Sequence, residues 1–146
     1  MRLREAILGG AGGGSARTDV LMAVVRIFAG CALSFAHGLG KVLPSERFID
    51  GVGNMGFPIP VVFAYAAAAS EFLGGLMLAA GLLTRPSSFF ILLTMLTAGF
   101  IRHSDDPFSS MEKSLLYAAL ATVFLAVGGG RYSVDRWMRE RWKTGT

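Results

Sequence analysis

Apolar and polar positions alternate in blocks along this chain, and four blocks are predominantly apolar: residues 20–42, 61–83, 87–101 and 115–127. At ~1.5 Å per helical residue, each of the first two crosses a ~30 Å hydrocarbon core. The third and fourth reach only ~20 Å and fall short unless their polar neighbours, Arg102 and His103 in one and Glu112 and Lys113 in the other, lie inside the membrane boundary. The pattern predicts an all-α protein, an integral membrane four-helix bundle. A soluble bundle would suit the two shorter runs but not the two longer ones.

The remaining blocks predict the ends and connections. Residues 1–19 read as a flexible cytoplasmic lead-in, because "GGAGGGSA" is too glycine-rich for the apolar core of a cleaved signal; Thr18 or Asp19 then caps the first helix. Residues 20–130 form the four-helix domain, and 131–146 a basic interfacial tail. In that tail Val134, Trp137 and Met138 share one helical face, the pattern of a short helix lying in the inner interface. In the first outer loop, Phe48, Val52 and Met55 fall at helical spacing before Gly56, Pro58 and Pro60 break the helix. This second short helix is either a connector on the outer interface or a lid over an outward-facing pocket.

Composition agrees with a lipid setting. Of 146 residues 53% are hydrophobic and 16% charged, against about 25% charged in soluble domains. The net charge of +4 does not imply nucleic acid, since the cations sit at chain ends and turns and not on one helix face. Arg2, Arg4, Arg17, Arg85, Arg131, Arg136, Arg139, Arg141 and Lys143 fall on one side of a four-span topology, and only Lys41, Arg47, Arg102 and Lys113 on the other. The positive-inside rule then predicts that both termini of this multi-pass membrane protein are cytoplasmic. A single cysteine, Cys31, excludes an internal disulfide framework and reads as packing.

The candidate chemistry lies in polar residues that lipid disfavours. Arg26 and His37 are eleven positions apart, within about 20° on a helical wheel, and Lys41 follows four later, so the three share a stripe that must face protein. Glu71 is the expected partner of Arg26. Two small-residue pairs beside it, Ser70 with Gly74 and Gly75 with Ala79, allow close helix packing. Antiparallel topology gathers His37, Lys41, His103 and Glu112 at the outer level, with Lys41 and Glu112 as a second expected ion pair. These residues form either buried pairs that fix helix register or a polar cavity in which a histidine exchanges protons or holds a carbonyl ligand. His37 and His103 also admit axial haem ligation, and with Glu112 a zinc site, each on weaker grounds. No nucleophile with its base and no dinucleotide or phosphate loop is present, so no catalytic residue is assigned.

The stretches "RIFAGCALSFAHGLGKV", "ASEFLGGLMLAAGLLTRPSSFFIL" and "GGGRYSVDRW" resemble the DoxX family of small bacterial four-helix membrane proteins. The resemblance implies that Arg26, His37, Gly38, Lys41, Glu71, Gly74, Gly75, Thr84, Arg85, His103, Glu112 and the segment from Gly130 to Asp135 occupy recurring positions. It also implies a small multi-pass subunit of the bacterial inner membrane, part of a redox or respiratory, quinone-linked complex, with other protein subunits as partners. A non-catalytic assembly subunit and a small-solute carrier are the alternatives. The lack of a cysteine pair departs from what sulfur chemistry would need.

Overall fold

A computed structural model describes residues 15–144, and the glycine-rich lead-in before residue 15 lies outside the described residues. Four helices are long and apolar enough to cross a membrane: α1 (Ala16–Lys41), α3 (Pro60–Ala80), α4 (Thr84–Arg102) and α5 (Phe108–Val127). Two short helices complete the fold, α2 (Glu46–Asn54) between the first two spans and α6 (Val134–Thr144) after the last. The protein is a multi-pass membrane protein. Its spans α4 and α5 run through Arg102 and from Phe108, so each gains the extra turns that its apolar run alone lacked.

Sequence neighbours pack side by side, α1 on α3, α3 on α4, α4 on α5, and α5 closes the ring against α1. The core of this bundle is Leu33, Leu78, Ile91, Met95, Ala118, Ala121 and Phe124. Large apolar side chains also cover the outside, Phe28, Phe35 and Leu116 among them, as expected where the solvent is lipid. The end carrying Ser15 and α6 is called here the terminal end, and the other, with α2, the loop end.

Local chemistry sets the boundaries. Ser15 caps α1 by accepting from the Thr18 amide, Ser45 caps α2 by accepting from the Phe48 amide, and Pro60 opens α3, where a missing N–H costs nothing. Gly81 ends α3 in the left-handed region, and Leu83 adopts the same region at φ 45°, a strained choice for a branched side chain.

The α1–α3 register is fixed by small residues. A Cβ on Gly30 would fall 2.5 Å from the Ala79 amide nitrogen, and one on Gly38 2.6 Å from that of Phe72, so backbone meets backbone at both levels. Ser34 donates to the Phe72 carbonyl at 2.9 Å between them. Gly30→Ala is therefore expected to push α1 and α3 apart and cost about 1–3 kcal/mol as overpacking. Thermal unfolding in detergent would record it; an unchanged melting temperature would count against this close contact.

Candidate functional site

The register separates the polar residues into two clusters. At the terminal end Arg26, 1% exposed, donates from Nη1 to the Leu78 carbonyl at 2.7 Å and to that of Ala79, and from Nη2 to the Tyr132 carbonyl at 2.6 Å. The first two oxygens lie at the C-terminus of α3, where the helix dipole favours a cation. Asp135, 3% exposed, is the nearby carboxylate whose charge acts on Arg26, with no direct ion pair between them. Its carboxylate also accepts from the Leu83 amide at 2.7 Å, the Thr84 amide at 2.9 Å and the Thr84 hydroxyl at 2.7 Å, capping α4. The Asp135 amide returns a bond to the Gly81 carbonyl at 2.9 Å.

The expected Arg26–Glu71 pair does not form. Gly38 lies against Glu71 and Phe72, and Gly30 against Ala79, so Arg26 is level with the end of α3, about 10 Å from Glu71 along that helix. Glu71 pairs instead with Lys41, whose Nζ donates to Oε2 at 2.7 Å and Oε1 at 2.8 Å. The Lys41–Glu112 pair is thereby corrected too. Glu112 is exposed and does not line the cavity described next.

That cavity, of about 1310 Å³, opens at the loop end under α2. His37, Lys41, Glu71 and His103 all line it, and Tyr117 adds a phenol from α5. The Glu71 side chain is only 4% exposed, whereas that of Lys41 is 36% exposed and also lies 5.5 Å from the centre of the Phe48 ring. His37 meets Tyr117 edge to face at 5.5 Å, and His103 Nδ1 contacts Asp106 at 2.6 Å. Ser70 is 8% exposed, lines the cavity, and its hydroxyl has no hydrogen-bond partner among the described residues. Of the small residues, Ser70 thus faces the cavity, Gly74 faces Ile91, and Gly75 and Ala79 meet α1.

The backbone is irregular at this level. Leu33–Gly38 in α1, Ser70–Gly74 in α3 and Ala98–Arg102 in α4 are π-helical; in the last, the His103 amide reaches back five residues to the Ala98 carbonyl at 3.2 Å. Wide turns of this kind recur at functional sites because they re-aim side chains. Here they carry His37 and Glu71 and adjoin His103. Among the described residues no three His, Cys, Asp or Glu side chains gather as a metal shell.

Tyr117 and Asp135 were not singled out one by one from residue patterns. Tyr117 left a trace, a phenol in an otherwise apolar span that needs a polar outlet. The role of Asp135 depends on a contact more than fifty residues away and left none.

The DoxX family model matches residues 21–104. The inner membrane protein YqjF of Escherichia coli (strain K12) is 33% identical over 134 residues, covering 85% of this chain and 96% of its own. CatD of Bacillus subtilis (strain 168), whose name places it provisionally among oxidoreductases, is 30% identical over 109 residues, 75% of this chain and 79% of its own. No solved structure matches.

Proposed function

This chain belongs to the DoxX family, and on that premise we propose that it is a small inner-membrane subunit of a quinone-linked redox assembly, its cavity holding a quinone head group. The observation that carries the reading is the loop-end cavity, in which hydrogen-bond donors converge on an otherwise apolar space. The residues fit such a group: the Lys41 ammonium, a His37 ring nitrogen, the Tyr117 phenol and the unpartnered Ser70 hydroxyl are all donors suited to a quinone carbonyl. A bound quinone would take up two electrons, supplied by a partner protein, and two protons. His37 and His103 can pass protons from the loop end, and buried Glu71 fixes the Lys41 ammonium beside them. Arg17, Arg85, Arg131, Arg136, Arg139 and Arg141, all at the terminal end, support a cytoplasmic placement of the termini, with α6 along that interface.

Gentle purification from native membranes, then solvent extraction and mass spectrometry of quinone and copurifying proteins, tests this. His37→Ala is expected to lower retained quinone about tenfold, the worth of one good hydrogen bond. Wild-type protein that carries no quinone, or equal quinone in both, overturns the reading. A second reading, an assembly subunit without a ligand, is favoured by one feature: both oxygens of Glu71 are already satisfied by Lys41.

A further inference from the structure

The donors crowd the loop end of the cavity, and the head-group site leaves the rest of its volume unused. The cavity continues past Glu71 toward the terminal end as a groove between α3 and α4, walled by Leu73 and Met77 on one side and Phe90, Leu93 and Thr94 on the other, as far as Leu83. From Ala98 to Leu83 this is about 20 Å of helix, most of the hydrocarbon thickness.

Two features make this groove apolar and open sideways. Below Thr97 its hydroxyls are consumed within α4: Thr94 donates to the Phe90 carbonyl at 3.0 Å and Ser87 to the Thr84 carbonyl at 3.1 Å. Its lips face outward, with Leu73 55%, Leu93 48% and Phe90 58% exposed. The two helices part only toward the loop end, where Pro60–Ala69 packs on α2; past Glu71, Ser70–Gly74 and Gly75–Ala80 pack on α4, so there the groove is a furrow along the outer side of that contact. Ser70 stands where the groove meets the polar end, with a buried donor and no protein acceptor.

We propose that the groove holds the apolar tail of the same ligand, which enters from the bilayer between α3 and α4. The substrate class is then a long-chain, membrane-borne quinone and not a short soluble one. This rests on the quinone reading of the head-group site. The cavity exceeds the ~300–1,000 Å³ of ordinary small-molecule pockets. Below Thr97 the walls of the groove offer water no free hydroxyl, whereas an alkyl or isoprenoid chain loses nothing there.

Two photoreactive quinones distinguish the outcomes, using the full chain in lipid nanodiscs: one with an azide on the ring, the other with a diazirine at the end of a decyl tail. The ring probe is expected to label the segments around His37 or Tyr117, and the tail probe those around Met77 or Phe90. Thr94→Trp, which fills the groove, should cut tail labelling severalfold and leave the fold intact; Leu93→Trp at the lip serves if that variant does not accumulate. Ring labelling as expected, with tail labelling confined to α2 or to the outer faces of α1 and α5, overturns the groove while the head-group site stands. No labelling of the cavity by either probe overturns both.

Discussion

Asp135→Ala is expected to be the most damaging single substitution in the protein, costing about 3–5 kcal/mol, the scale for leaving a buried charge uncompensated. Three hydrogen bonds to Leu83 and Thr84 disappear with the carboxylate. They alone would not reach that figure, because interhelical hydrogen bonds in bilayers average only about 0.6 kcal/mol. The remainder comes from Arg26, which stays buried among carbonyls with no opposing charge, and from Leu83, whose left-handed backbone loses the acceptor beside it. Asp135→Asn keeps an acceptor and removes the charge, so it should fall between wild type and Ala. The check is the melting temperature in detergent together with the yield of folded protein from membranes. An Ala variant that melts within about 2 °C of wild type would show that the terminal-end network holds nothing together, since 1 kcal/mol alone moves a domain of this size by more.

The four spans were legible because hydrocarbon imposes one simple rule on composition, long apolar runs, and the helices follow it. The shortness of the third and fourth runs called for Arg102, His103, Glu112 and Lys113 inside the membrane boundary; Arg102, Glu112 and Lys113 lie within the spanning helices, and His103 directly follows one. Pairing was not legible in the same way. Arg26 and Glu71 look complementary when depth is counted from each helix start, yet which residues face each other depends on where two backbones touch. That was decided by Gly30 against Ala79 and Gly38 against Phe72. The small residues around Glu71 carried this information, read as permission for close approach and not as a register mark. Glu112 failed for a different reason: its level in the membrane was right, but its side of α5 faces away from the cavity. The π-helical turns that carry His37 and Glu71 have no sequence signature and shift every later side chain around the helix.

Lys41→Met is expected to be the second most costly change, and its comparison with Glu71→Gln separates a structural ion pair from a ligand site. The two partners are unequally buried, with side chains 36% and 4% exposed. Losing Lys41 leaves a carboxylate that is only 4% exposed without its partner, at a cost of about 3–5 kcal/mol. Losing the Glu71 charge leaves an ammonium on a flexible stem near the loop end, where it can extend to solvent, so Glu71→Gln should cost distinctly less. The double variant Lys41→Met/Glu71→Leu removes both charges and should recover most of the stability lost in Lys41→Met, because a buried pair replaced by apolar groups is often neutral or better. Stability thus follows the pair, while ligand retention follows Lys41 itself. If the ammonium donates to a quinone carbonyl, the double variant folds but retains about tenfold less quinone, one hydrogen bond's worth. A double variant that is stable and keeps its quinone assigns the pair to helix locking alone. One as unstable as Lys41→Met means that Glu71 was never what Lys41 compensated.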